Sequence, residues 1–416
     1  MRERPADGIV PVAGAAGTPL WRDARDRRVR ELAWCTLAPP LMQRLPVPGA
    51  GLAPNGIRLA RLPAHALAAW QGWLAQADPA QLPPTIDELA AMPTADRPGG
   101  ARAERSLRLG RHAERLLRFA LERMQGIELV AANLPVRRQG PRGVQTLGEL
   151  DFVWRDLERG ELVHWEMAAK FYLLADSGRV AVTDPSAPFD AASALQAFVG
   201  PNLVDRLGDK LRHVMERQLP LSGSAEALAL LGAPVSRSEI YLLGWLFYRD
   251  GVMPPDTAAL GLAPDHLHGW WSTLDDWACR HAGDGGTGTT RWHRLPRARW
   301  LSPALVPEVE TESWDALLGA LTTRFAEPQH ELSWRRESPV MVCEMEPAGS
   351  GWWRERSRGF VVPPGWEARA RLRAGERAVS AHRTAESQIP QSLNDACPRQ
   401  SSPASCAPAR YSDAAE

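Results

Sequence analysis

The sequence predicts an α/β fold with a core in the order α-β-β-β-α-β, a mixed sheet flanked by helices. A helical region precedes this core and a C-terminal extension follows it. Three observations carry the prediction. An amphipathic segment, Glu104–Met124, places Leu109, Ala113, Leu116, Leu117, Ala120, Leu121 and Met124 close to helical spacing. Three strand candidates follow, separated by glycine and polar residues. A second helical segment then leads to one more strand, so that a meander is closed by a strand reached through a helical crossover.

In chain order, residues 1–27 are rich in Gly, Pro, Ala and Arg and read as a disordered extension. From Arg28 the pattern turns helical, with Leu32, Ala33 and Trp34 stopped by Pro39-Pro40. Ala64–Gln76 and Thr85–Ala91 are further helices, set apart by Pro79, Pro83 and Pro84. Together they make an N-terminal helical region over 28–100, ending in a linker at Thr94–Ala103. The core spans 101–250. Its first helix stops at Gly126, and its strands are Ile127–Arg138, Glu149–Arg155 and Leu162–Leu174, the last two joined by a polar turn around Glu158 and Arg159. A helix over Val204–Leu219 leads to the strand Glu239–Tyr248. Residues 251–370 form a Trp-rich C-terminal region with helices at Asp265–Ala278 and Trp314–Phe325, a strand at Val340–Met345 and an ordered segment Arg358–Trp366. Residues 371–416, rich in Ser, Ala, Pro and Arg, read as a disordered tail.

Bulk properties exclude more than they identify. A chain of 416 residues suits two or three domains of roughly 100–200 residues. The formal net charge is zero, so no global basic field advertises a nucleic-acid partner. Five cysteines are scattered without a C-x-x-C pair, which argues against a zinc ribbon or a thioredoxin-like site. The N-terminus lacks a basic start followed by an apolar stretch, and no apolar run approaches the roughly 20 residues of a membrane span. A cytoplasmic setting without a membrane partner follows. Of the 49 basic residues, only Lys170 and Lys210 are lysine. This bias fits a GC-rich genome, and it marks the two lysines as candidates for positions where a compact ammonium is required.

The candidate chemistry lies on the second and third strands of the core. Alternation puts Glu149, Asp151 and Val153 on one face of the second, with Leu150, Phe152 and Trp154 on the other. On the third, His164, Glu166, Ala168, Lys170 and Tyr172 share a face. A turn near Glu158 and Arg159 sets Asp151 opposite Glu166, and Glu149 opposite Ala168. Carboxylates at neighbouring cross-strand positions repel one another. A hard divalent cation such as Mg2+, or Mn2+ in its place, relieves that repulsion because it takes oxygen ligands. A lysine beside it orients or deprotonates the attacking water while the metal stabilises charge on a phosphate. Asp151, Glu166, Lys170 and Glu149 are therefore the candidate catalytic residues. A solvated face carrying ordinary salt bridges is the competing reading.

The runs Gly148-Glu149-Leu150-Asp151-Phe152 and His164-Trp165-Glu166-Met167-Ala168-Ala169-Lys170-Phe171-Tyr172 resemble the PD-(D/E)XK nuclease-like superfamily. More narrowly, with Arg28–Pro40, Gly110–Leu117, Gly200–Leu221, Gly244–Tyr248, His268–Trp271 and Arg358–Trp366, the chain resembles a bacterial family called domain of unknown function 1853. That resemblance covers about residues 28–366. It implies a restriction-endonuclease-like core, an Mg2+ site if the protein is active, and a nucleic-acid partner, with DNA expected ahead of RNA. It also implies a metal role through water for Glu114 on the preceding helix, where pairing with Arg111 or Arg118 is the alternative. Lys210, on the helix after the third strand, is either a phosphate contact or a salt-bridge partner of Asp205, Asp209 or Glu216.

One spacing departs from the superfamily pattern. Three residues, not one, separate Glu166 from Lys170, and Ala168 stands where the acid is usual. Four residues of regular strand span about 13 Å, long for two groups on one metal centre. Either a β-bulge shortens the path, or Glu149 supplies the carboxylate from the neighbouring strand, the reading preferred here. Failing both, the protein is a degenerate relative that binds nucleic acid or another protein without cleaving.

Overall fold

Alternating apolar and polar residues from Ile127 to Leu174 build three long antiparallel strands, β2 (Ile127–Gly140), β3 (Gly143–Asp156) and β4 (Glu161–Leu174). In this computed structural model the described residues are 19–46, 57–93, 107–141, 143–181, 189–281, 290–326 and 338–376. The preceding helix spans Leu109–Leu121, and its apolar stripe is fully buried against the sheet. The expected linker Thr94–Ala103 lies outside the described residues.

After β4 the chain crosses over through the helix Leu207–His213, a π-helical turn Val214–Gln218, a 3-10 turn Leu219–Gly223 and the helix Ala225–Leu231. It returns as β6 (Arg237–Arg249), parallel to β4 over eleven residue pairs. The helix expected over Val204–Leu219 thus starts three residues later and changes pitch midway. Gly244 is required where β6 passes Lys170, because a Cβ there would overlap the Lys170 carbonyl oxygen. Two short strands, β1 (Arg58–Leu59) and β5 (Phe198–Val199), add to β6 and β4 respectively.

Rather than standing as a separate extension, the Trp-rich region continues the same sheet. Its strands are β7 (His268–Thr273), β8 (Arg291–Arg294), β9 (Leu305–Pro307), β10 (Val340–Pro347) and β11 (Trp352–Val362). The order β2-β3-β4-β6-β7-β11-β10-β8 gives a mixed sheet of eleven strands with the three short ones. The helix expected over Asp265–Ala278 is therefore corrected: its first half is β7, and a helix follows at Leu274–His281. Gly269 explains the difference. Any side chain at this position would collide with the Arg358 carbonyl and the Phe247 ring of the flanking strands. Two further helices, Trp314–Ala326 and Trp366–Gly375, pack on the sheet, and the second carries order past residue 371, where a disordered tail was expected.

Both faces of the sheet are covered. The N-terminal helices Arg27–Leu37 and Ala64–Leu74, the helix Leu109–Leu121 and the helix Trp366–Gly375 share one apolar cluster with Trp165, Tyr241, Trp245 and Phe360. Within the stretch 1–27 expected to be disordered, Leu20–Asp23 forms a helical turn with Trp21 in that cluster, and residues 1–18 lie outside the described residues. Ala168, Tyr172, Leu242 and Leu246 face the crossover on the other side, and Val342 and Val361 face the Trp277–Trp292 cluster. No described helix is long and apolar enough to cross a membrane.

Candidate active site

The β3–β4 ladder runs from Asp156–Glu161 to Phe152–Trp165 and stops there. In place of the next rung, side chains and backbone trade partners. Asp151 Oδ2 accepts from the Met167 N–H at 3.0 Å, and Glu166 Oε1 lies 3.5 Å from the Asp151 nitrogen. Asn133 on β2, at the same level, takes a left-handed φ of 52°. The strand twists at this point, so simple alternation fails. Leu150, expected beside Phe152 and Trp154, instead clusters with Val136, Val153, Leu162 and Ala227. Asp151 and Glu166 are neighbours as expected, but no rung pairs Glu149 with Ala168.

Where β3 leaves β4, the crossover fills the gap. Glu166 is 1% exposed. Its Oε1 meets His164 Nε2 at 3.0 Å, and its Oε2 accepts from Gln218 Nε2. Burial pushes the Glu166 carboxyl up to about 7, against the opposing pull of the Asp151 N–H and Lys210. Asp151 is likewise raised to about 7, first by burial and then by the Glu166 charge. Burial lowers His164 to about 4, so its ring is neutral at pH 7 and shares one proton with Glu166 across the Nε2–Oε1 contact. Its Nδ1 is buried without a partner among the described residues.

The two lysines divide in a way the sequence does not announce. Lys170 Nζ is 2.7 Å from Asp205 Oδ2, which also accepts from Tyr172 Oη at 3.1 Å. The lysine whose charge acts on both Asp151 and Glu166 is Lys210. It donates to Gln218 Oε1 at 3.0 Å, and burial, followed by the Lys170 charge, lowers its pKa. Neither Asp209 nor Glu216 is its hydrogen-bond partner: Asp209 instead takes Arg206 and Arg212.

Glu114 faces the same group from the helix Leu109–Leu121. Arg111 Nη1 holds it at 2.5 Å and also donates to Asn133 Oδ1 at 2.6 Å. Burial raises the Glu114 pKa, and the Asp151 and Glu149 charges add to the rise. Arg118, the other expected partner, pairs with Glu122. The charge of Glu149 also acts on Glu166. Four carboxylates, Asp151, Glu166, Glu149 and Glu114, thus share one neighbourhood with Lys210 and Arg111. Such crowding favours protons or a cation. Among the described residues no group of three or more His, Cys, Asp and Glu side chains is arranged to hold a metal ion.

Sequence reasoning missed Gln218 and Asn133. Gln218 lies eight residues past Lys210, and the π-turn between them resets the helical phase so that the two side chains meet. No periodicity in the sequence signals that turn. His266 and His268 form no site with the acids: His266 is buried, bonded to Tyr248 Oη at 2.7 Å and to the Ala263 carbonyl.

No curated protein and no solved structure matches the chain. One family model does, over residues 30–362. That span takes in the sheet from β1 to β11 and every residue of the acid group, and the chain belongs to the family described as Domain of unknown function (DUF1853).

Proposed function

We propose that the protein is a metal-dependent nuclease, or a nuclease-like nucleic-acid-processing protein, with a restriction-endonuclease-like core formed by the helix Leu109–Leu121 and β2, β3, β4 and β6. One observation carries this reading. Asp151 and Glu166 are crowded together, mostly out of water, with both carboxyls held near 7 and two further acids close by. A structural ion pair balances its charge, whereas this group is acid-rich and invites a cation.

The donor chemistry fits Mg2+ or Mn2+. Both are hard ions that take oxygen, and Mg2+ is commonly held by one or two carboxylates with water and substrate phosphate completing its shell. Asp151 and Glu166 would hold the ion, with Glu149 and Glu114 near enough to act on its charge. When bound, it supplies Lewis-acid stabilisation to a phosphoryl oxygen. Gln218 Nε2 already donates to Glu166 Oε2, whose second lone pair stays free for the ion. Lys210, with its lowered pKa, is suited to contact a phosphate or to hold a proton beside the acids. This role, first expected of Lys170, suits Lys210 better because Asp205 already neutralises Lys170.

The test is calorimetric titration of the full chain with Mg2+ and Mn2+, then incubation with DNA and RNA oligonucleotides. The wild type binds one ion and nicks a strand, and Asp151→Ala does neither. Failure of the wild type to bind either metal overturns the catalytic reading. The Gln218–Glu166 bond favours one second reading, a non-cleaving nucleic-acid-binding or protein-interaction module. Its signature is oligonucleotide binding without metal.

A further inference from the structure

A cleft of about 340 Å3 opens between the start of the helix Arg27–Leu37, the turn Thr85–Glu88 and the loop Leu295–Pro307. It shares no residue with the acid group, and its size lies at the lower end of the range for small-ligand pockets. Its walls carry five arginines, Arg25, Arg27, Arg28, Arg30 and Arg299. Three are matched by carboxylates. Arg27 and Arg299 meet Asp87 at 2.7 and 2.9 Å, Arg299 also reaches Glu310 at 2.7 Å, and Arg28 forks onto Glu88 at 2.8 and 3.0 Å. Asp26 is engaged too, capping the helix by accepting from the Arg28 and Val29 N–H groups.

Arg30 is different. It is 3% exposed, yet its hydrogen bonds among the described residues go to neutral carbonyls. Nη1 donates to Ala24 O at 2.6 Å and to Arg25 O at 2.8 Å, whereas Nη2 reaches Leu305 O only at 3.5 Å. Nε is buried with no acceptor among the described residues. The Nε–Nη2 edge is the fork with which a guanidinium grips a carboxylate or phosphate side-on. A buried donor left without a partner is costly, and a bound oxyanion would remove that cost. Burial also lowers the Arg30 pKa to about 10, as expected for a guanidinium whose neighbours Glu31, Asp26 and Glu355 compensate it only in part.

We propose that this cleft binds a small oxyanion-bearing ligand, a carboxylate or a phosphate, held by the Nε–Nη2 edge of Arg30 with Arg25 at the mouth. The apolar walls, Leu295, Val306 and Trp352 among them, receive the body of the ligand. The test titrates the full chain with sodium phosphate and, separately, with sodium acetate, each against sodium chloride at matched ionic strength. Saturable binding in one arm is expected, and the arm that saturates names the class. Arg30→Lys, which keeps the charge and loses the fork, weakens binding at least tenfold. Arg25→Glu, at an exposed position, weakens it several-fold with the circular dichroism spectrum unchanged. The proposal is overturned if neither anion saturates the wild type, or if folded Arg30→Lys binds as the wild type does. Should Arg30→Lys not fold, wild-type binding by Arg25→Glu overturns it. None of these readouts depends on metal binding at the acid pair.

Discussion

Two of the buried ionic groups on the sheet are built on opposite principles. On β11, Arg358 is fully enclosed and every arm of its guanidinium is used. Glu355 takes Nε at 2.6 Å and Nη2 at 2.8 Å, while the Trp300 and Ser302 carbonyls take Nη1 and Nη2. The Trp245 ring lies 4.0 Å below, and the other oxygen of the Glu355 pair also accepts from the Ala304 N–H at 2.7 Å. Burial works against the Arg358 charge, and Glu355 more than restores it. On β3 and β4, by contrast, Asp151 and Glu166 sit with like charges beside them and carboxyls raised to about 7. The first group ties the loop Leu295–Pro307 to the sheet. The second stores a charge imbalance that only a proton or an added cation removes. A balanced group serves stability; an unbalanced one is the better candidate for chemistry.

The sharpest break of this contrast is Arg358→Met. It strands Glu355 and two carbonyls, and urea denaturation should show a loss of about 3–5 kcal/mol, the usual cost of removing one partner of a buried pair. Asp151→Asn acts in the opposite direction. An acid whose folded-state pKa is raised lends stability that is whole below its unfolded value near 4 and is lost as pH rises through about 7. The wild-type apoprotein therefore loses stability between about pH 4 and pH 7, and Asp151→Asn should flatten that slope. At pH 8 the variant should be more stable than the wild type by on the order of 1–2 kcal/mol, read from urea midpoints at pH 5 and 8. If stability is instead the same at both pH values in the wild type, the two groups are not opposites.

The smallest effects separate the lysines. Lys210→Met removes the cation that lowers both acid pKa values, so the midpoint of the pH dependence should move upward. Lys170→Met breaks a half-exposed pair with Asp205, which should cost under about 1 kcal/mol and leave that midpoint in place. Equal shifts from both variants would return Lys170 to the acid group.

Much of this architecture was legible in the sequence where periodicity is strong. The helix Leu109–Leu121 and the three long strands follow from residues that repeat every 3.6 or every 2 positions, and β6 follows from a continuous apolar run. The neighbourhood of Asp151 and Glu166 was legible as well, because the turn at Glu158 and Arg159 sets the register. Three things were not. The strand β7 contains Trp270 and Trp271 between covered faces, so it shows no alternation to distinguish it from a helix. The exchange of Lys170 for Lys210 depends on how the crossover lies over the strands, which is a tertiary matter. Arg358 and Glu355 are three apart on a strand, where alternation alone would set them on opposite faces, and a β-bulge at Arg356 returns them to one face.

The place of β6 in the middle of the sheet has a consequence for biosynthesis. A nascent chain that has emerged only as far as Arg249 can pair β6 with β4, but its other edge, with Trp245 and Phe247, waits for β7 and β11. Beyond its short pairing with β1 that edge stays open until β7 emerges, and β7 in turn presents an open edge until β11 is complete at residue 362. The acid group is complete in sequence by Gln218, yet the sheet that supports it closes only with β11, the last strand among the described residues.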